Sequence, residues 1–140
     1  MSKRIALKDF IEVDGVDLSD FARAVTFSSE HAQVDVSGFN STGTDEFLAG
    51  ATTQSVTVEF FGSYGAGEVH QTLYRLHRDK LAFDFVWRPD SSVAVGATNP
   101  ELRGSVQAFT YAPGATRGDV DTFSVTFNAV SGSTLTFFET

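Results

Sequence analysis

Three glycines, Gly62, Gly65 and Gly67, follow an alternating segment and open a helical one, a context in which backbone N–H groups can cradle a phosphate. Their order, G-x-x-G-x-G, reverses the dinucleotide fingerprint, and no Gly-Lys-Ser/Thr follows, so the segment reads as a tight strand-to-helix turn. His70 and His77 lie two helical turns apart, about 10.5 Å along the axis, too far to share a metal, and read as surface or edge residues. His31, with Glu30 beside it and Asp35 further on, has the residue types of an acid/base pair, but no nucleophile stands near in sequence. Asp14, Asp17 and Asp20 depart from the spacing of a calcium loop and lack its closing Glu. Trp87 ends an alternating run with Phe83 and Phe85 and reads as core. The chain has no cysteine, which removes disulfides and thiolate metal sites. No catalytic, metal or cofactor site is expected, and an enzyme is not the favoured class.

The elements that would position such residues are mostly strands. Residues 54–61 alternate, with Val56, Val58 and Phe60 facing one way and Ser55, Thr57 and Glu59 the other. The next segment changes to helical spacing: Val69, Leu73 and Leu76 form one apolar stripe that should lie on a sheet face. Glu68 stands near its N-terminal end and Arg75, Arg78 and Lys80 near its C-terminal end, as the macrodipole favours. Residues 80–89 return to alternation. Upstream, a short strand at residues 10–13 stops at Asp14-Gly15, a tight-turn dipeptide. Residues 23–37 alternate in two stretches, Val25 and Phe27, then Val34 and Val36, around a polar middle at 28–33 that is a bulge or a hairpin. Residues 91–100 read as a polar loop or weak edge strand. Two further strands, 105–111 and 122–130, carry Phe123, Val125 and Phe127 on the buried face. The ending, residues 131–140, is either a last strand of the chain's own sheet or one that pairs with a neighbour.

Composition adds what spacing does not. A chain of 140 residues with 41% hydrophobic content supports one core, so a single domain over residues 1–140 is expected. No apolar run approaches the ~20 residues of a membrane span, and the opening MSKRIALKDF lacks a signal peptide's apolar stretch, so a soluble protein used without export signals is expected. Fourteen Phe is a high load, and Phe39, Phe47, Phe109, Phe137 and Phe138 fall off the buried alternation; some should be buried only between subunits. Residues 38–53, rich in Gly, Ser and Thr, read as a long loop, a length that is usually functional. Phe39, Phe47 and Leu48 inside it suggest that it docks on something. A net charge of -8 argues against tight binding to phosphate backbones. From Asp9 to Glu59, Arg23 is the only Lys or Arg among many acids, whereas bases sit at Lys3, Arg4 and Lys8, around the helix at Arg75, Arg78 and Lys80, and at Arg88, Arg103 and Arg117. Such segregation is a solvated face or half of a charge-complementary contact between copies.

The order of these landmarks resembles the major tail tube proteins of long-tailed, non-contractile bacteriophages. Residues 11–20 (IEVDGVDLSD) and 24–27 (AVTF) are similar to that family's first strand, tight turn and second strand. Residues 34–39 (VDVSGF) and 46–50 (EFLAG) are similar to the borders of its long loop, and 56–61 (VTVEFF) and 67–73 (GEVHQTL) to its strand and helix. Trp87-Arg88-Pro89-Asp90, Thr98-Asn99-Pro100 and Tyr111-Ala112-Pro113 resemble its later landmarks. The resemblance implies a mainly β fold, an antiparallel β-sandwich or barrel with one flanking α-helix. It divides residues 1–140 into an N-terminal arm (1–8), a long assembly loop (38–53), a C-terminal segment (131–140) and the domain body.

The function implied is a structural subunit that self-assembles as stacked hexameric rings into a tail tube, the conduit through which DNA passes without tight binding. A tail measuring protein, an initiator complex and a chaperone are the implied partners. The implied location is the virion tail, assembled in the host cytoplasm. Inter-subunit contacts are expected from Phe39, Phe47, Leu48, Phe137 and Phe138. The lumen is expected among carboxylates that alternate with apolar residues: Glu30, Asp35, Glu59 and Asp84. One departure stands out: Asp45-Glu46 makes the loop acidic where a basic residue would be sought. A ring or tube component of another injection machine, or a tail-end protein of the same fold, is the alternative; a ligand-binding sandwich or small hydrolase is a third class.

Overall fold

The computed structural model describes residues 6–39, 43–130 and 133–140. Strand β1 (Phe10–Val13) turns into β2 (Val16–Asp17) through Asp14 and Gly15, whose φ values of 52° and 77° suit a two-residue hairpin turn with both central residues left-handed. A long hairpin of β3 (Ala22–Asp35) and β4 (Phe47–Phe61) follows, then helix α1 (Val69–Arg78) and strands β5 (Phe83–Arg88), β6 (Glu101–Gly114), β7 (Thr122–Ala129) and β8 (Thr136–Phe138). Every strand pair is antiparallel, in the order β2-β1-β5-β6-β7-β4-β3, with β8 beside the start of β6.

Strand β6 is long enough to belong to two layers. Its first half pairs with β5 and its second with β7. The sheet curls about this strand until Ile11 and Trp87 from one side line the same ~290 Å³ cleft as residues 22–25 of β3 from the other. Inside lie Val56, Val58 and Phe60 of β4, Phe123, Val125 and Phe127 of β7, and Phe83 and Phe85 of β5, all buried. Phe83 meets Phe127 edge-on at 5.4 Å. Helix α1 closes the core with Val69, Leu73 and Leu76, the stripe its spacing implied.

Two side chains that read as surface or edge residues in the sequence fasten this helix. His70 Nδ1 lies 2.7 Å from the Tyr111 hydroxyl, and His77 Nδ1 donates to the Ala108 carbonyl at 2.8 Å; both imidazoles are half-buried. Burial, with Tyr64 adding to it, pushes the Tyr111 phenol up to about 12, so it keeps its proton for this contact at physiological pH. The glycines before the helix serve packing. A Cβ on Gly62 would overlap Asp121, and one on Gly65 would overlap the Glu68 carboxylate, which accepts from Ser63 Oγ. An acid thus fills the space a phosphate would need, so the turn is no anion cradle.

The Arg88-Pro89-Asp90 and Thr98-Asn99-Pro100 landmarks form one staple. Asn99, only 5% exposed, accepts from the Asp90 N–H at 3.0 Å and donates to the carbonyls of Asp90 (3.1 Å) and Val93 (3.0 Å). Beside it, Glu101, 7% exposed, bridges Arg88 (2.7 Å) and Arg103. Trp87 is partly buried against the core and donates from Nε1 to Asp9 Oδ2 at 2.8 Å.

The sequence reading needs one correction here: residues 47–53, expected within the long loop, belong to strand β4. Of the two alternatives for the polar middle of β3 the bulge holds, since β3 is one continuous strand with a register irregularity between His31 and Gln33. The loop between the strands covers residues 36–46, of which 40–42 lie outside the described residues. Alternation reports burial, and this stretch is exposed on both faces, so its strand character left no periodic mark. The ending pairs within the chain: β8 lies on β6 with Glu101 opposite Phe138 and Arg103 opposite Thr136.

Asn99→Ala is expected to destabilise the chain by about 2 kcal/mol, because it strands buried peptide groups of the 90–93 turn. Denaturant unfolding measures this, and a change below about 0.5 kcal/mol would remove the staple from the account.

Candidate functional site

Side-chain direction along four adjacent strands defines the first feature. On β4 and β7 the odd and even positions separate cleanly: Val56, Val58 and Phe60 face Phe127, Val125 and Phe123 across the ladder, all toward the core. The intervening positions pair on the opposite face as Ser55 with Asn128, Thr57 with Thr126, and Glu59 with Ser124. Strand β3 continues this outer face with Ala24, Thr26, Ser28 and Glu30, which stand opposite Glu59, Thr57, Ser55 and Thr53. On the other flank β6 adds Gln107, Thr110, Ala112 and Gly114. The β6-β7-β4-β3 layer therefore presents hydroxyls, amides and two carboxylates. The segments 24–30, 54–61, 107–114 and 122–129 contain no Lys or Arg. Arg23, the extra residue of an irregularity in β3, stands at the end of this face.

The second feature is the pair of edges bounding that layer. Strand β3 ends the strand order, so its side away from β4 has no partner strand among the described residues. Strand β6 outruns β5, whose pairing stops at Val106, and from residue 107 to 114 its strand pairing is with β7 alone. A row of unpaired N–H and C=O groups is a template for another chain.

The third feature is the outer part of the β3-β4 hairpin. Strand β7 accompanies β4 only from Ser55 to Phe61, and Gln54 is still tied to the body through the Leu135 backbone, so residues 47–53 have strand pairing with β3 alone and form a two-stranded ribbon. Ser37 fastens its far end by accepting from the Glu46 N–H at 2.7 Å, while Asp35 accepts from the Ser37 N–H at 2.8 Å. Hydrogen bonds from the Ser37 hydroxyl and then from its backbone N–H hold the Asp35 carboxyl below the usual carboxylate range. An isolated two-stranded ribbon is marginal in water. Yet this one exposes Phe47 at 53% and Leu48 at 61%, with Phe39 wholly exposed beyond them.

The expected site residues separate on this geometry. Glu30 and Glu59 share the base-free face. Asp35 belongs to the ribbon end, and Asp84 lies on β5, outside the four-stranded layer, opposite Ser105. Phe39, Phe47 and Leu48 gather on the ribbon and its loop. Phe137 and Phe138 already have partners in the chain: Phe137 stands edge-on to Phe27 at 5.8 Å, and Phe138 lies under the Arg103 guanidinium at 4.4 Å, although both stay partly exposed. His31 bonds to Thr52 across the ribbon at 2.8 Å and joins no catalytic group. Among the described residues no cluster of His, Asp or Glu could hold a metal ion. Sequence reasoning missed the hydroxyl face of β7. The signal was there in the alternation of Thr122, Ser124 and Thr126 with the buried Phe and Val.

No protein-family model matches the chain, and neither does any curated protein. Solved structures do. A chain from the virion of a native gene transfer agent particle aligns with TM-score 0.74 at 13% identity, covering 96% of this chain and 99% of that one. A chain of the SPP1 tail tube aligns with TM-score 0.67 at 11% identity over 95% of this chain and 77% of the other. A chain from the tail of an empty gene transfer agent particle, refined with helical C6 symmetry, gives 0.65 at 14% identity over 83% and 82%. The chain has the phage tail tube fold.

Phe47→Ala and Leu48→Ala should leave unfolding of the free chain within about 0.5 kcal/mol of the unsubstituted protein, since neither side chain is in the core. Phe127→Ala should cost about 3–5 kcal/mol. Thermal or denaturant unfolding of the three variants checks the contrast, and equal losses would place the ribbon residues in the chain's own core.

Proposed function

We propose that the chain is a structural subunit of a tail tube, assembling as stacked hexameric rings that conduct DNA, and not an enzyme. The observation that carries this reading is the base-free, hydroxyl-rich face bounded by two unpaired strand edges. Copies set side by side would join the β3 edge of one to the 107–114 edge of the next, and a closed circle of such joints covers both edges of this layer. The C6 symmetry of the gene transfer agent tail supports the number six. Stacking of rings would use the ribbon, with Phe39, Phe47 and Leu48 as anchors, and heterologous contacts of this kind extend without limit.

The face also suits the cargo. Duplex DNA carries one negative charge per about 1.7 Å, and proteins hold it by neutralising phosphates with Lys and Arg. A wall of Thr, Ser and Asn with Glu30 and Glu59 offers nothing to neutralise them, so DNA slides. On the same reading the protein resides in the virion tail after assembly in the host cytoplasm. A measuring protein, an initiator complex and a chaperone are its partners there. A second reading, a ring component of another injection machine, is favoured by the likeness to a chain of the anti-feeding prophage baseplate, with TM-score 0.55 at 11% identity over 96% of this chain and 97% of that one.

Electron microscopy of the concentrated purified protein separates the readings. Tubes of indefinite length with an open channel support the first, single rings support the second, and a strict monomer would contradict both. Lumen charge gives a finer test. Glu59→Lys should leave tubes of normal length and shape, since a solvated charge contributes little to stability, while slowing DNA delivery through six added phosphate-binding cations per ring. Loss of assembly in that variant would instead put Glu59 at a subunit contact.

A further inference from the structure

A groove of about 420 Å³ opens beside the C-terminal end of α1, between His77, Arg78 and Lys80 on one wall and Gln107, Ala108 and Phe109 on the other. Its walls are tied together: His77 Nδ1 donates to the Ala108 carbonyl at 2.8 Å, and Gln107 Nε2 donates to the Lys80 carbonyl at 2.9 Å. Phe109 owes its position to a bulge. The register of β6 on β7 shifts between Ala108 and Thr110, so Phe109 is the extra residue and leaves the alternation, 56% exposed. Leu81, 40% exposed, follows Lys80. The groove thus pairs a cationic wall with an apolar one. Arg78 is shared with Asp79 at 3.0 Å, and Lys80 makes no ion pair among the described residues.

We propose that this groove receives residues 45–48 of a second copy of the chain: Asp45 and Glu46 against Arg78 and Lys80, Phe47 and Leu48 against Phe109 and Leu81. The inference rests on the reading that the ribbon docks on a neighbour and names the surface it meets. Charge complementarity selects the occupant. From residue 24 to 74 the chain has no Lys or Arg, so no base lies on the outer ribbon itself, and the first bases that follow it in sequence are Arg75, Arg78 and Lys80. The four residues present two carboxylates followed by two exposed apolar side chains, the same two chemistries that the groove walls offer. Like charges facing each other would instead disfavour a wrong docking.

The chain contains no cysteine, so an introduced pair reports without background. A Glu46→Cys/Gln107→Cys variant, assembled and mildly oxidised, should give a ladder of disulfide-linked multimers that neither single variant gives. In parallel, Arg78→Glu/Lys80→Glu should raise the concentration needed for assembly at least about tenfold with unchanged melting of the free chain, and adding Asp45→Lys/Glu46→Lys should restore it. Assembled tubes without the ladder would overturn the proposal, even if the groove variants impair assembly, because another occupant then fills the groove. If Phe47→Ala and Leu48→Ala block assembly while every groove variant is neutral, the ribbon still docks but elsewhere, and the groove assignment fails alone. If ribbon and groove variants are all neutral, the docking of the ribbon fails with it.

Discussion

The backbone hydrogen bonds that β3 leaves unmade among the described residues, on its side away from β4, govern the rest of this molecule. Twelve of the fourteen residues of β3 pair with β4 on one side, the other side has no partner strand among the described residues, and β6 lacks a second partner strand from residue 107 to 114, where His77 holds the Ala108 carbonyl. Edges of this length are normally shortened, charged or covered, because they invite uncontrolled association. Here they bound a single four-stranded layer with an apolar inner face and a polar outer one. The core, the helix and the Asn99 staple hold that layer in one shape, so that its two edges are offered at a fixed spacing. On the proposed function, other copies of the chain complete both edges in a closed circle.

The second constraint is electrostatic, and it acts through where charges are missing. The four strand segments of the outer face carry no Lys or Arg, while the bases cluster at the helix end and around Glu101. That division keeps cations off the face proposed to line the DNA path and leaves them for contacts between protein groups. Glu101 shows the structural use, bridging two guanidinium groups from a nearly dry position. The helix end serves the proposed contact between copies, where exposed charges would steer the encounter more than they stabilise it.

How much of this was legible in the sequence depended on burial. Strands with one wet and one dry face announced themselves: Val56, Val58 and Phe60, or Phe123, Val125 and Phe127, fixed both the strand and its inner face. The helix stripe of Val69, Leu73 and Leu76 was equally plain, and so was the Asp14-Gly15 turn. The ribbon was not, because residues 47–53 and the middle of β3 are exposed on both faces and alternation has nothing to record there. In the sequence His70 and His77 read only as surface or edge residues, because a single imidazole carries no sign of its partner, here a Tyr hydroxyl and a carbonyl brought near by the fold. Of the four expected lumen carboxylates, register joins Glu30 and Glu59 on one face and separates Asp35 and Asp84. Register between distant strands is what one-dimensional spacing lacks.

The central claim is that the open edge of β3 is completed by another copy. Amide hydrogen exchange across residues 22–35, measured on the free chain and on assembled tubes, addresses it directly. In an antiparallel pair about half the amides of a strand point to each side, so the free chain should protect only the half facing β4, and assembly should slow the other half as well. Tubes that form while the exchange of β3 stays unchanged would contradict the account.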